Sequence, residues 1–169
     1  MSHVTVLGSC GAWPEPGRAC SGFLLGHNGL RIVLDLGYGT VARLLTALDS
    51  TVADGLDAAA IAQAFDWQAL PGPAHDVGPF TLRSVDLPHF VPNAGVHLDA
   101  TDLAVASTGD TGPDTALADL GRDVDLFVVE ATDRAQQPGN DRARSQADAR
   151  EGYDGEVLIT EEGLRLDLP

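Results

Sequence analysis

"ASTGDTGP" occupies residues 106–113, directly after the apolar stretch Leu103-Ala104-Val105. The apolar stretch reads as a strand, and the Gly/Thr/Pro-rich segment as the turn that ends it. One acid, Asp110, stands in that turn between Gly109 and Thr111. Asp is common in turns because its carboxylate bonds nearby backbone N–H groups. It is also an oxygen ligand for metal ions. Both readings stay open until the other residues that reach the same sheet end are known.

Working outward, "AGVHLDATDLAVASTGD" (94–110) reads as a hairpin turning at Asp99-Ala100-Thr101-Asp102. "FLLGHNGLRIVLDLG" (23–37) is a second hairpin, because two apolar runs flank an Asn-Gly turn. "HVTVLG" (3–8) alternates as a first strand, and the Gly/Pro-rich "SCGAWPEPGRACSG" (9–22) is a loop. Val41, Leu44, Leu45 and Leu48 fall at helical spacing within 40–50. Residues 55–70 carry helix-favouring alanines, and 71–87 reads as a turn and then a strand.

Downstream, 114–121 is a short helix, with Asp114 as a cap and Gly121 as its end. "DLFVVEA" (125–131) is an apolar, buried strand. The polar stretch 132–155 breaks at Pro138-Gly139-Asn140 and then continues as a charged helix. Residues 156–168 read as two short strands joined near Glu161-Glu162-Gly163. Strands, antiparallel hairpins and helices together indicate an α/β (α+β) sandwich.

The 169 residues suit one domain, 1–169. Ten arginines, no lysine and 25 acids give a net charge of −15. That field repels nucleic-acid phosphates unless basic residues cluster, and here they are dispersed apart from Arg142, Arg144 and Arg150. There is no membrane-length apolar run and no signal-like N-terminus, so the expected setting is the cytoplasm, with Cys10 and Cys20 reduced. With nine residues between them in a flexible loop, the two cysteines are able in principle to bridge, but no zinc-like CxxC spacing occurs.

Three acids end strands. Asp35 closes "RIVLD", Asp110 closes "VASTGD" and Glu130 closes "LFVVE". Binding groups often sit where a rigid sheet passes into loops, although turn and capping duty is the commoner role for such acids. Among the histidines, His89 in "DLPHFVPNAG" follows a strand near the Asp110 hairpin. Metal ligand and structural histidine weigh about equally for it. His3, His27, His75 and His97 read as ordinary polar positions.

"VTVLGSCGAWPEPGRACSGFLL", "IVLDLGYGT", "LPHFVPNAG", "STGDTGPD" and "DLFVVEATD" together resemble the metallo-β-lactamase-fold hydrolases, in their ribonuclease Z-like branch. The resemblance implies a shortened four-layer αββα sandwich with a zinc site at the sheet edges. It implies a metal-bound hydroxide attacking a phosphodiester or acyl bond. Carried across, it makes Asp110 a metal-bridging carboxylate and His89 a metal ligand. Asp35 then resembles an orienting acid behind the ligands, and Glu130 and Asp133 a supporting strand end.

The chain departs from that pattern at two places. The HxHxDH motif expected after "GLDAAAI" is absent, and the segment that should bring the last histidine ligand between "EATD" and the final hairpin is missing. Of the seven ligand positions the resemblance implies, His89 and Asp110 remain. Two function classes follow. One is a zinc-dependent hydrolase with an incomplete site and weakened or lost activity, acting on a small molecule or phosphodiester. The other is a non-catalytic relic serving as a binding or interaction module. Nucleic acid and membrane are disfavoured as partners, and a second copy of the chain stays a candidate.

Overall fold

The computed structural model describes residues 1–11, 16–47, 68–130 and 142–169. The alanine-rich stretch 55–70, which leans toward helix, the break at 138–140 and Asp133 lie wholly or mostly outside them. Among the described residues two sheets stack face to face. The first contains β1 (Ser2–Gly8), β2 (Gly22–His27), β3 (Leu30–Leu36) and β9 (Arg165–Leu168), in the order β3-β2-β1-β9. The second runs β4 (His75–Val77), β5 (Phe80–Leu87), β6 (Asn93–Asp99), β7 (Ala104–Ser107) and β8 (Leu126–Val128) in chain order.

Alternation along the strands builds the layers. Val4, Val6, Phe23, Leu25 and Leu34 of the first sheet meet Phe80, Leu98 and Val105 of the second in one buried cluster. Each such fully buried side chain contributes roughly 1.5–3 kcal/mol of transfer free energy. The opposite face of the second sheet buries Leu87 and Ala106 against Leu120 of α2 (Ala116–Leu120). Helix α1 (Thr40–Ala47) packs on β1 of the first sheet. The order of layers is therefore α, β, β, α, the sandwich expected.

Four local expectations need correction. The segment 71–87 holds a hairpin instead of one strand: Val77 pairs with Phe80 around Gly78-Pro79, and Gly78 takes φ +60. That backbone region suits glycine and closes a two-residue turn. Strand β8 is half-buried, not buried, because it is the sheet's edge and has a neighbour on one side alone. The C-terminal segment supplies one strand, since the free edge of β1 takes a single partner and β9 occupies it. Finally, Thr115 occupies the N-cap of α2 without a side-chain bond, while Asp114 accepts the Ala116 N–H at 2.7 Å. The charged helix forms as α3 (Arg142–Gly152).

Candidate functional site at the sheet rim

One end of the sandwich collects the acids. On β3, Phe23 pairs with Leu34 but Gly22 pairs with Leu36, so Asp35 is an extra residue, a β-bulge. Its φ is +58, uncommon for a residue with a Cβ. Across β2, Leu7 is the matching extra residue of β1, between the Val6–Phe23 and Gly8–Gly22 pairs. Two register shifts at one level interrupt the ladder at this sheet end, where Asp35 stands. Asp35 keeps an exposed face, and partial desolvation by the rim around it is the main cause that raises its carboxyl above the ordinary range. The Asp110 carboxylate adds to the rise, against hydrogen bonds from the Ser21 hydroxyl and the Leu36 N–H. The same pairing brings Cys10 and Cys20 to this end as β-bridge partners.

The second sheet contributes through its turns. The Gly112 N–H donates to the Pro88 carbonyl at 2.9 Å, which ties the Asp110 turn to the loop of His89. Thr111 N–H donates to Glu130 Oε1 at 3.0 Å, and Glu130 N–H reaches Thr108 Oγ1 at 3.4 Å. Asn93 Nδ2 donates to the Thr108 carbonyl at 3.1 Å. Gly109, at φ +57, lies so close to Asn93 that a Cβ there would stand 2.6 Å from Oδ1. Asp110 is exposed at the tip of this braced turn. His89 is half-buried, its ring 4.2 Å from that of Phe90, and its Nδ1 is buried without a hydrogen-bond partner.

The structure thus brings Asp35, His89, Asp110 and Glu130 to one rim. Sequence reasoning missed Ser21, Asn93 and the two cysteines as parts of it. No motif marks them; only strand pairing places them there.

The remaining histidines stand elsewhere. His27 is buried at the opposite rim, with Nδ1 2.9 Å from Ser2 Oγ and Nε2 3.4 Å from Asp102. It closes that end against Phe80, ring centroids 5.0 Å apart. His97 places Nδ1 2.9 Å from the Leu120 carbonyl, on the face of the second sheet that α2 covers. A carbonyl only accepts, so that nitrogen carries the proton. His3 lies in β1 beside Gly26 and Asp167, and His75 begins β4 with Nδ1 3.3 Å from the Pro73 carbonyl.

A catalytic zinc takes three protein ligands and keeps one position open. Among the described residues no three His, Cys, Asp or Glu side chains are placed to share an ion. All five histidines and both cysteines are described residues. The orphaned His89 Nδ1 and the exposed Asp110 suit a cation, but this donor set does not fit a catalytic zinc.

No protein-family model and no curated protein matches the chain. Solved structures do. The metallo-beta-lactamase fold protein YhfI from Bacillus subtilis superposes with a TM-score of 0.78 at 16% identity, over 98% of each chain. The fold is the metallo-β-lactamase fold. Human tRNase Z, short form, shares this metallo-β-lactamase architecture with a TM-score of 0.66 at 18% identity, over 99% of each chain. At such identities the likeness concerns the backbone.

Proposed function

We propose that this chain is a metal-dependent hydrolase of phosphodiesterase type whose metal centre is incomplete, so that turnover is weakened or lost. The histidine inventory carries this reading. HxHxDH is absent from the sequence, and of five histidines His89 alone stands at the rim. A zinc-bound water ionises near a pKa of about 7 when enough protein ligands fix the ion. One imidazole and one exposed carboxylate fall short of that. Asp35 and Glu130 brace the rim and do not complete the ligand set.

Phosphodiester chemistry is the substrate class we favour, since one structural neighbour is a tRNase Z. A small diester suits the chain better than a nucleic acid, because a net charge of −15 repels a polyphosphate. The setting we assign is the cytoplasm; among the described residues no helix is long and apolar enough to cross a membrane.

Metal content after purification tests the reading, for the parent and for Asp110→Ala, together with turnover of bis-p-nitrophenyl phosphate. The expected result is a loosely held ion, well below one per chain and lost from Asp110→Ala, with slow hydrolysis that a chelator abolishes. About one tightly held ion per chain, released by Asp110→Ala and accompanied by chelator-sensitive turnover, would overturn it. Absence of both metal and turnover places the molecule at the fully non-catalytic end, a binding module on a hydrolase frame.

A further inference from the structure

The two cysteines are the part of the rim that hydrolysis leaves unused. Cys10 and Cys20 are partners in an isolated parallel β-bridge, both buried, at 5% and 7% exposure. They are the chain's two cysteines, and both are free thiols in this structure. We propose that Cys10 and Cys20 are a redox-modification site, closing reversibly into an intramolecular disulfide between these two bridge partners at the acidic rim.

Bridge partners on adjacent strands lie about 4.8 Å apart and send their side chains to the same face. A disulfide spans Cα separations of about 4.4–6.8 Å, so the backbone need not move far. Both strand segments are already held. The N–H groups of Ser9 and Cys10 donate to the Ala19 carbonyl at 3.2 and 2.9 Å, and Cys20 N–H donates to the Tyr38 carbonyl at 3.0 Å. Arg18 donates to the Ser9 carbonyl at 3.1 Å, and Ala19 N–H donates to Glu162. Arg43 pairs with that Glu162 carboxylate at 2.8 Å and donates to the Gly17 carbonyl at 2.7 Å. With no third cysteine, the connectivity is unique.

The reaction needs a small-molecule disulfide of the glutathione class. One protein thiolate attacks it, forming a mixed disulfide and releasing one reduced small thiol. The second protein sulfur then attacks the mixed disulfide and expels the other small thiol. Both protein S–H protons end on the two released thiols, and the protein's two sulfurs are oxidised as the reagent's two are reduced. Burial first, and then Cys10, Asp35 and Asp110, hold the Cys20 thiol above its ordinary pKa, so exchange is slow near neutrality and quickens as pH rises. Ser21, next to Cys20, bonds the Asp35 carboxylate, and its carbonyl takes the Gly37 N–H at 3.0 Å. The bond therefore stiffens the segment that positions Asp35.

The full chain is equilibrated without air in oxidised and reduced glutathione, acid-quenched, alkylated and weighed intact. A second series runs in denaturing urea. The folded protein should pass from two alkyl groups to none and lose two hydrogens, with the bond mapped to Cys10 and Cys20. Its equilibrium constant should exceed that in urea by at least about tenfold, because folding holds the sulfurs together. Cys10→Ser should yield only a mixed disulfide with glutathione. A folded-state constant no larger than the urea value overturns the proposal. So does oxidation that ends in glutathione adducts or chain-to-chain dimers in the parent protein.

Discussion

Asp35 shows how much one backbone angle decides. At φ +58 it stands as the extra residue of a bulge and turns its carboxyl toward Ser21 and the field of Asp110. Its folded pKa is raised, so between the unfolded value of about 3.9 and the raised one the native state binds more protons than the unfolded state. The slope of unfolding free energy with pH is then negative, and stability falls as pH rises through that interval. Asp35→Asn should flatten that segment of a urea-midpoint-versus-pH curve while leaving the curve above it parallel to the parent's. A parent-minus-variant difference that stays flat or rises with pH through that interval would contradict the assignment. His89 makes a complementary point: its buried Nδ1 has no hydrogen-bond partner, and among the described residues no three His, Cys, Asp or Glu side chains stand together to share an ion.

Strands and turns carry the energy that holds this rim in place. The Asp110 turn has two bonds of its own, from the Thr108 and Thr111 hydroxyls to the Gly109 and Gly112 carbonyls. It is also braced from outside, by Pro88, Asn93 and Glu130 on other elements. Those elements are fixed in turn by the apolar layer between the sheets, where Leu98 of β6 is fully buried beside Val105 and Phe80. Leu98→Ala leaves a cavity in the layer that positions both β6 and β7, and should cost about 2–5 kcal/mol in urea unfolding. Because β6 pairs with β7 from Val96–Ser107 to Asp99–Ala104, amide exchange in the 108–112 turn should accelerate together with exchange in the strands. A loss below about 1 kcal/mol would mean that the two sheets are not packed as described.

For the whole molecule, charge is the dominant surface property. Fifteen net negative charges repel one another more when the chain is compact. Added salt shortens the Debye length from about 30 Å at 0.01 M to about 8 Å at 0.15 M. The melting temperature should therefore rise across that range, and sodium chloride should serve as well as magnesium chloride of equal ionic strength. A rise specific to the divalent ion would reveal a cation site stronger than His89 and Asp110 suggest. At this scale the sequence determined the strands with clear alternation, the Asn-Gly hairpin, the net charge and the absence of HxHxDH, since each depends on neighbours within a few residues or on a simple count. The half-buried state of β8, the single C-terminal strand and the bulge at Asp35 were decided by tertiary structure alone. Those features depend on which edge is already occupied and which face is already covered, and such pairings join residues far apart along the chain.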